Sequence, residues 1–147
     1  MANESVLAAL QEQVDGYRKL ARLAEAQRRH VQTNQTEQLL DVLQQRQVVL
    51  DAIMAAERVV GPAKRVWTET SAKLSPDERA SAERMLGETR QLLEQITSSD
   101  RDDAVVLQQR KLALGQQIGK TRAARAVNRQ YAAAAYGPRR PNVDLQQ

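Results

Sequence analysis

The amino-acid sequence predicts an all-α protein: an elongated antiparallel bundle of three to four long helices over residues 1–136, followed by a flexible C-terminal tail over residues 137–147. Three observations lead there. The chain is 41% hydrophobic, yet one Trp, three Tyr and no Phe supply its aromatic area, so its core must be built from Ala, Leu and Val and be thin. It holds 22 Ala and 18 Gln against 6 Gly and 4 Pro, a mixture of good helix formers with few breakers. Its apolar residues recur at steps of three and four, the period of a helix that buries one face.

The first helix is predicted over about Glu4–Thr33. Leu7, Leu10, Val14, Tyr17, Ala21, Ala24 and Val31 follow one seam, with Leu20 and Leu23 widening it. Asn34 and Glu37 have capping-box spacing for a second helix, which carries Leu39, Leu40, Leu43, Gln47, Leu50, Ile53, Met54 and Val60. Gly61-Pro62 is expected to kink or end that helix, with Val66, Trp67 and Leu74 marking about three further turns. Ser75-Pro76-Asp77-Glu78 then combines a cap, a proline at the first helical position and acids in the first turn. The helix it opens holds Ala82, Met85, Leu86, Leu92, Leu93 and Ile96, and is expected to end near Thr97–Ser99.

Ser98-Ser99-Asp100 with Asp102 and Asp103 predicts the cap of a final helix reaching Tyr136. Leu107, Leu114 and Ile118 share one face of it. The step from Ile118 to Val127 turns the helix by about 900°, so Ala124, Val127 and Tyr131 fall opposite. Either the helix bends near Gly115 or Gly119, or its last part, from about residue 119, leaves the bundle, or the two stripes meet different neighbours.

Composition narrows the chemistry. With no Cys there is no disulfide, thiolate metal site or cysteine nucleophile, and His30 is the one imidazole. Near a helix end, behind Arg28 and Arg29, it suits the negative end of the macrodipole. Gly115, Gly119, Lys120 and Thr121 resemble a phosphate-binding loop, but the spacing is one residue short and no strand precedes it. The same glycines have the spacing of closely approaching helices. The acids scatter among basic residues as a solvated face. No catalytic residue, metal ligand or cofactor is therefore nominated, and no enzymatic activity is expected.

Net charge is +4 and unevenly spread: residues 104–147 carry +7 and residues 1–103 carry −3. Lys120, Arg122, Arg125 and Arg129 could contact phosphates, but no zinc-finger, RNA-recognition or helix-turn-helix pattern accompanies them. Met1–Leu10 has no cationic start followed by an apolar run, and the longest apolar stretch is Ala132–Tyr136, so a soluble, cytoplasmic protein without a membrane segment is expected.

Asn34–Ile53, NQTEQLLDVLQQRQVVLDAI, together with LSPDE at Leu74–Glu78, a final helix over Asp100–Gly137 ending in Tyr136-Gly137, and RRPNVD at Arg139–Asp144, resembles the FlgN-like flagellar export chaperones. The resemblance implies a cytoplasmic chaperone of flagellar type III secretion. Such a protein holds disordered termini of hook–filament junction (hook-associated) proteins, prevents premature assembly and delivers them to the membrane export gate. It would place Leu107, Leu112, Leu114 and Ile118 in the client groove, and Val127, Tyr131 and Tyr136 in a segment docking client or gate. Arg122, Arg125 and Arg129 would steer acidic segments. Two other readings stand beside it: a coiled-coil adaptor or oligomeric structural protein, homodimerisation included, and a weak nucleic-acid or polyanion-binding module.

Overall fold

The computed structural model describes residues 2–136. The tail expected from Gly137, with its RRPNVD segment, lies outside the described residues, as does the side chain of Tyr136. Three long helices and one short one follow in order: α1 (Ala2–Gln32), α2 (Thr36–Arg65), α3 (Trp67–Ala72) and α4 (Pro76–Tyr136). None of them is long and apolar enough to cross a membrane. The chain divides after Val106 into two units, and the bundle belongs to the first.

The pairings within that unit give an up-down-up order. Gln13 on α1 hydrogen-bonds Glu57 on α2, and Gln27 accepts from Arg46, so α1 and α2 are antiparallel. Leu10 shares a cluster with Ala82, Arg18 pairs with Glu88, and Leu20 and Ala24 meet Ile96, so the first half of α4 runs back parallel to α1 and antiparallel to α2.

The core is thin, as the composition predicts. One cluster joins Ala9, Leu10, Ala56, Val60, Leu74 and Ala82, with Trp67 packed half-buried against it; another joins Leu20, Ala24, Ile53 and Ile96. Small residues replace rings by letting helices approach. A Cβ built on Gly16 would lie 2.6 Å from Cγ1 of Ile53, so any larger residue there would have to displace the Ile53 side chain of α2.

The Ser75 capping box forms in full. The Glu78 amide donates to Ser75 Oγ at 3.1 Å, and the Ser75 amide donates to Glu78 Oε1 at 2.9 Å. Four other expectations are corrected. Asn34 does not cap α2. It has φ of 57°, the left-handed geometry that ends a helix, and around it the amide of Gln35 donates to His30 O and that of Asn34 to Val31 O. This is a Schellman closure of α1, and α2 starts behind Gln35 without a side-chain cap bond.

On α2 the seam is rotated from the expected one. Val42, Ile53, Ala56, Val60 and Ala63 are buried, whereas Leu40, Leu43 and Met54 are exposed. The buried set is β-branched or small, which is what close approach to α1 demands. Gly61-Pro62 does not end α2, which continues to Arg65. Pro62 is exposed, so the backbone bond it deletes lies on the solvent side, while burial of Val60 and Ala63 on the inner side holds the turn. After it α3 lasts six residues rather than three turns.

The fourth correction is the largest. No break occurs at Thr97–Asp103: α4 is one helix of 61 residues. The aspartates expected to cap a new helix are instead turned to another use, described below.

The glycines supply a paired test of the packing. Gly16→Ala is expected to destabilise the protein by about 1–3 kcal/mol through the clash with Ile53. Gly87→Ala, whose Cβ meets nothing within 4 Å, is expected to stabilise it by up to ~1 kcal/mol. Urea denaturation of the two variants checks both signs.

Candidate functional site

Three helices are tied together near the end of the first unit by four polar side chains. Arg46 of α2 donates from Nη1 and Nη2 to the two carboxylate oxygens of Asp100, each at 2.8 Å, and from Nη1 also to Gln27 Oε1. Gln27 of α1 donates from Nε2 to Asp103 Oδ2 at 3.0 Å. Gln27 and Asp103 are buried. Asp100 and Asp103 are one helical step of three apart, so α4 presents both to the bundle, and neither caps a helix.

Burial pushes the Asp103 carboxyl above its usual range, and the nearby Asp100 adds to this; the Gln27 bond and the Arg28 and Arg46 charges act against it. The Arg46 guanidinium is held charged by its bonds to Asp100. With its groups satisfied by one another, this cluster is a tie between helices rather than a reactive centre. Sequence reasoning missed it because Asp at such spacing reads equally as a cap.

The other chemical candidates take structural positions. His30 Nδ1 lies 2.9 Å from Gln35 Oε1, across the closure of α1. The Gly115–Thr121 segment is helical, its amides spent on the helix ladder, and Thr121 Oγ1 donates to Gln117 O at 3.0 Å. Among the described residues no group of three or more His, Cys, Asp or Glu is placed to hold a metal ion.

The surface that stands out belongs to the second unit, from Leu107 onward. Every residue from 111 to 131 is exposed, although the segment is helical and contains large apolar side chains. Leu107, Leu112, Leu114, Ile118, Val127 and Tyr131 are 42–72% exposed. Residues 104–136 contain no acid and six cations: Arg110, Lys111, Lys120, Arg122, Arg125 and Arg129.

Helical geometry sorts the nominated residues onto two faces. Leu107, Leu114 and Ile118 share one, and Arg122, Arg125 and Arg129 continue that same face toward the C-terminus. Leu114, Ile118, Thr121, Arg122 and Arg125, with Gln117, border a single shallow groove, so the apolar anchors and two of the steering arginines adjoin. Leu112 is not brought to them; with Val127 and Tyr131 it lies on the far face. Tyr136 closes the helix. Val105 shares the Leu112 side and is also exposed, a member that the seven-residue spacing to Leu112 could have revealed.

Comparison with known proteins returns no match: no protein-family model, curated protein or solved structure matches the chain.

The raised Asp103 carboxyl has a pH consequence with a definite sign. The folded state binds this proton more tightly than the unfolded chain, so ionised Asp103 costs stability at neutral pH. That cost disappears as pH falls through the raised value toward the ordinary 3.8. Asp103→Asn keeps an acceptor for Gln27 and removes the buried charge. It is expected to equal or exceed the parent in urea stability at neutral pH, with its relative advantage shrinking as the solution is acidified. A loss of about 1 kcal/mol or more at neutral pH would show that the charge itself is needed.

Proposed function

We propose that the protein is a FlgN-like export chaperone, which holds disordered termini of hook–filament junction proteins in the cytoplasm and delivers them to the flagellar export gate. The observation that carries this reading is the segment 107–131: a helix with large apolar side chains exposed at helical spacing and no acid among them. The core of residues 1–106 is built without these side chains. The residues quoted for the family resemblance supply the client and the pathway.

The chemistry required is recognition alone. A disordered amphipathic terminus orders as a helix against the exposed face, and part of the contact free energy offsets its lost entropy. Leu107, Leu114 and Ile118 serve as anchors on one face, and Leu112, Val127 and Tyr131 on the other, where client or gate would dock. Arg122, Arg125 and Arg129 speed encounter with acidic segments.

The six cations and absent acids of residues 104–136 also favour a second reading, binding of a polyanion. The two separate in solution. Purified hook–filament junction protein is expected to form a stable complex with the chain that survives moderate salt, and Leu114→Ala with Ile118→Ala is expected to weaken it about tenfold or more without lowering the stability of the bundle. Deleting Ala123–Gln147 is expected to weaken client binding or gate docking, and undiminished binding of both would remove the docking assignment. A complex with nucleic acid that loses affinity steeply with salt, in the absence of any client complex, would favour the polyanion reading.

A further inference from the structure

We infer that the Leu107–Arg129 face is a bipartite site for an acidic amphipathic helix bound antiparallel, its carboxylates in its first two turns and its apolar anchors in the turns that follow. The inference rests on the export-chaperone reading only for the nature of the client, and it names the chemistry by which a client is chosen.

The face is divided along its length. Between Leu107 and Ile118, about 16 Å of helix, three large apolar side chains share the face with Lys111, and Arg110 lies at its edge. Between Arg122 and Arg129, about 10 Å, three arginines share the same face and no large apolar residue does. The two parts meet at the groove bordered by Leu114, Ile118, Arg122 and Arg125. A ligand covering this face must be apolar at one end and anionic at the other.

Charge chooses the occupant. A second copy of the chain would bring one acid-free segment against another and leave the arginines without an anionic partner. A nucleic acid would meet the arginines but leave Leu107, Leu114 and Ile118, all 42–58% exposed, without an apolar partner. An amphipathic peptide carrying acids satisfies both parts.

Orientation follows from helix electrostatics. Acids are stabilising in the first turns of a helix and unfavourable in its last turns, because of the macrodipole. A partner whose acids lie in its N-terminal turns must therefore run antiparallel to α4, to bring those turns over Arg122–Arg129 and its later apolar turns over Ile118, Leu114 and Leu107. In that arrangement the two macrodipoles also oppose one another. A parallel partner would need its acids at its own negative end.

The test measures fluorescence anisotropy of synthetic peptides of about 23 residues, enough to span the roughly 33 Å of the face, against the full chain. One carries Glu in its first two turns and Leu at helical spacing afterwards; a second has the same halves exchanged; a third replaces each Glu of the first by Gln. The acid-first peptide is expected to bind about tenfold more tightly than the Gln peptide, the size of three partly exposed charge pairs, and several-fold more tightly than the exchanged one, which can keep the pairs only by binding parallel with its acids at its negative end. Arg122→Glu with Arg125→Glu and Arg129→Glu is expected to abolish that preference and to favour instead a Lys-last peptide, with Leu in its earlier turns and Lys in its last two, where cations suit the negative end of the partner helix. These side chains are exposed, and the reversal keeps like charges at like spacings, so circular dichroism should show an unchanged helix.

Equal binding of the three peptides, preference for the exchanged one, or no rescue by the Lys-last peptide would overturn the inference, as would tighter binding of duplex DNA than of any peptide. Binding of junction protein without any acid-first preference overturns this inference and leaves the chaperone reading standing. Acid-first preference without binding of junction protein supports the inference and overturns that reading.

Discussion

Asp100 and Asp103 can serve either a new helix or the bundle, and the structure depends on their serving the bundle. As caps they would end one helix and begin another. Engaged by Arg46 and Gln27 instead, they leave the backbone to its own ladder, and α4 passes through the region without a break. The choice is energetic. A cap bond is worth about 1 kcal/mol, whereas a bidentate guanidinium–carboxylate pair adds charge-assisted bonds and, with the Gln27 contacts to Arg46 and Asp103, fixes the register of α1, α2 and α4 at one level. The price is the buried Asp103 charge, against which Gln27, Arg28 and Arg46 work.

Continuity has a consequence for the surface. Apolar burial on α4 ends with Ile96, and the inward polar contacts end with Asp103. From there the helix carries Leu107, Leu114 and Ile118 on one side and Leu112, Val127 and Tyr131 on the other, all exposed. An acid-free composition gives such a surface no anionic partner in a second copy of itself. Aromatic residues follow this division only in part: Tyr17 and Trp67 pack against the aliphatic core of the bundle, while Tyr131 stands exposed where no core lies.

What could be read from the sequence was decided locally. The Ser75–Glu78 box involves residues three apart and formed as spaced. The all-α class and the first helix rest on a period that persists for many turns. What failed was decided at a distance. Asn34 is competent as an N-cap or as a left-handed terminator, and the closure of α1 took it. Leu43 and Val42 are both apolar, and only the closeness of α1, set by Gly16 against Ile53, makes the β-branched face the inner one. The two-faced character of residues 107–131 was legible from the half-turn between Ile118 and Val127, and the same 100° step also sets Arg122, Arg125 and Arg129 on the Leu114–Ile118 face and Leu112 off it; that all of these side chains are exposed required the fold.

The central claim is that one continuous helix is held by burial through Asp103 and thereafter serves as a binding surface. Hydrogen exchange followed by mass spectrometry, with and without purified hook–filament junction protein, tests it most directly. In the free chain, amides of residues 82–103 should exchange only with global unfolding and those of 107–131 far faster; on adding the junction protein, the protection gained should fall in 107–131. Full protection of 107–131 in the free chain, or a gain confined to α1 and α2, would contradict the account.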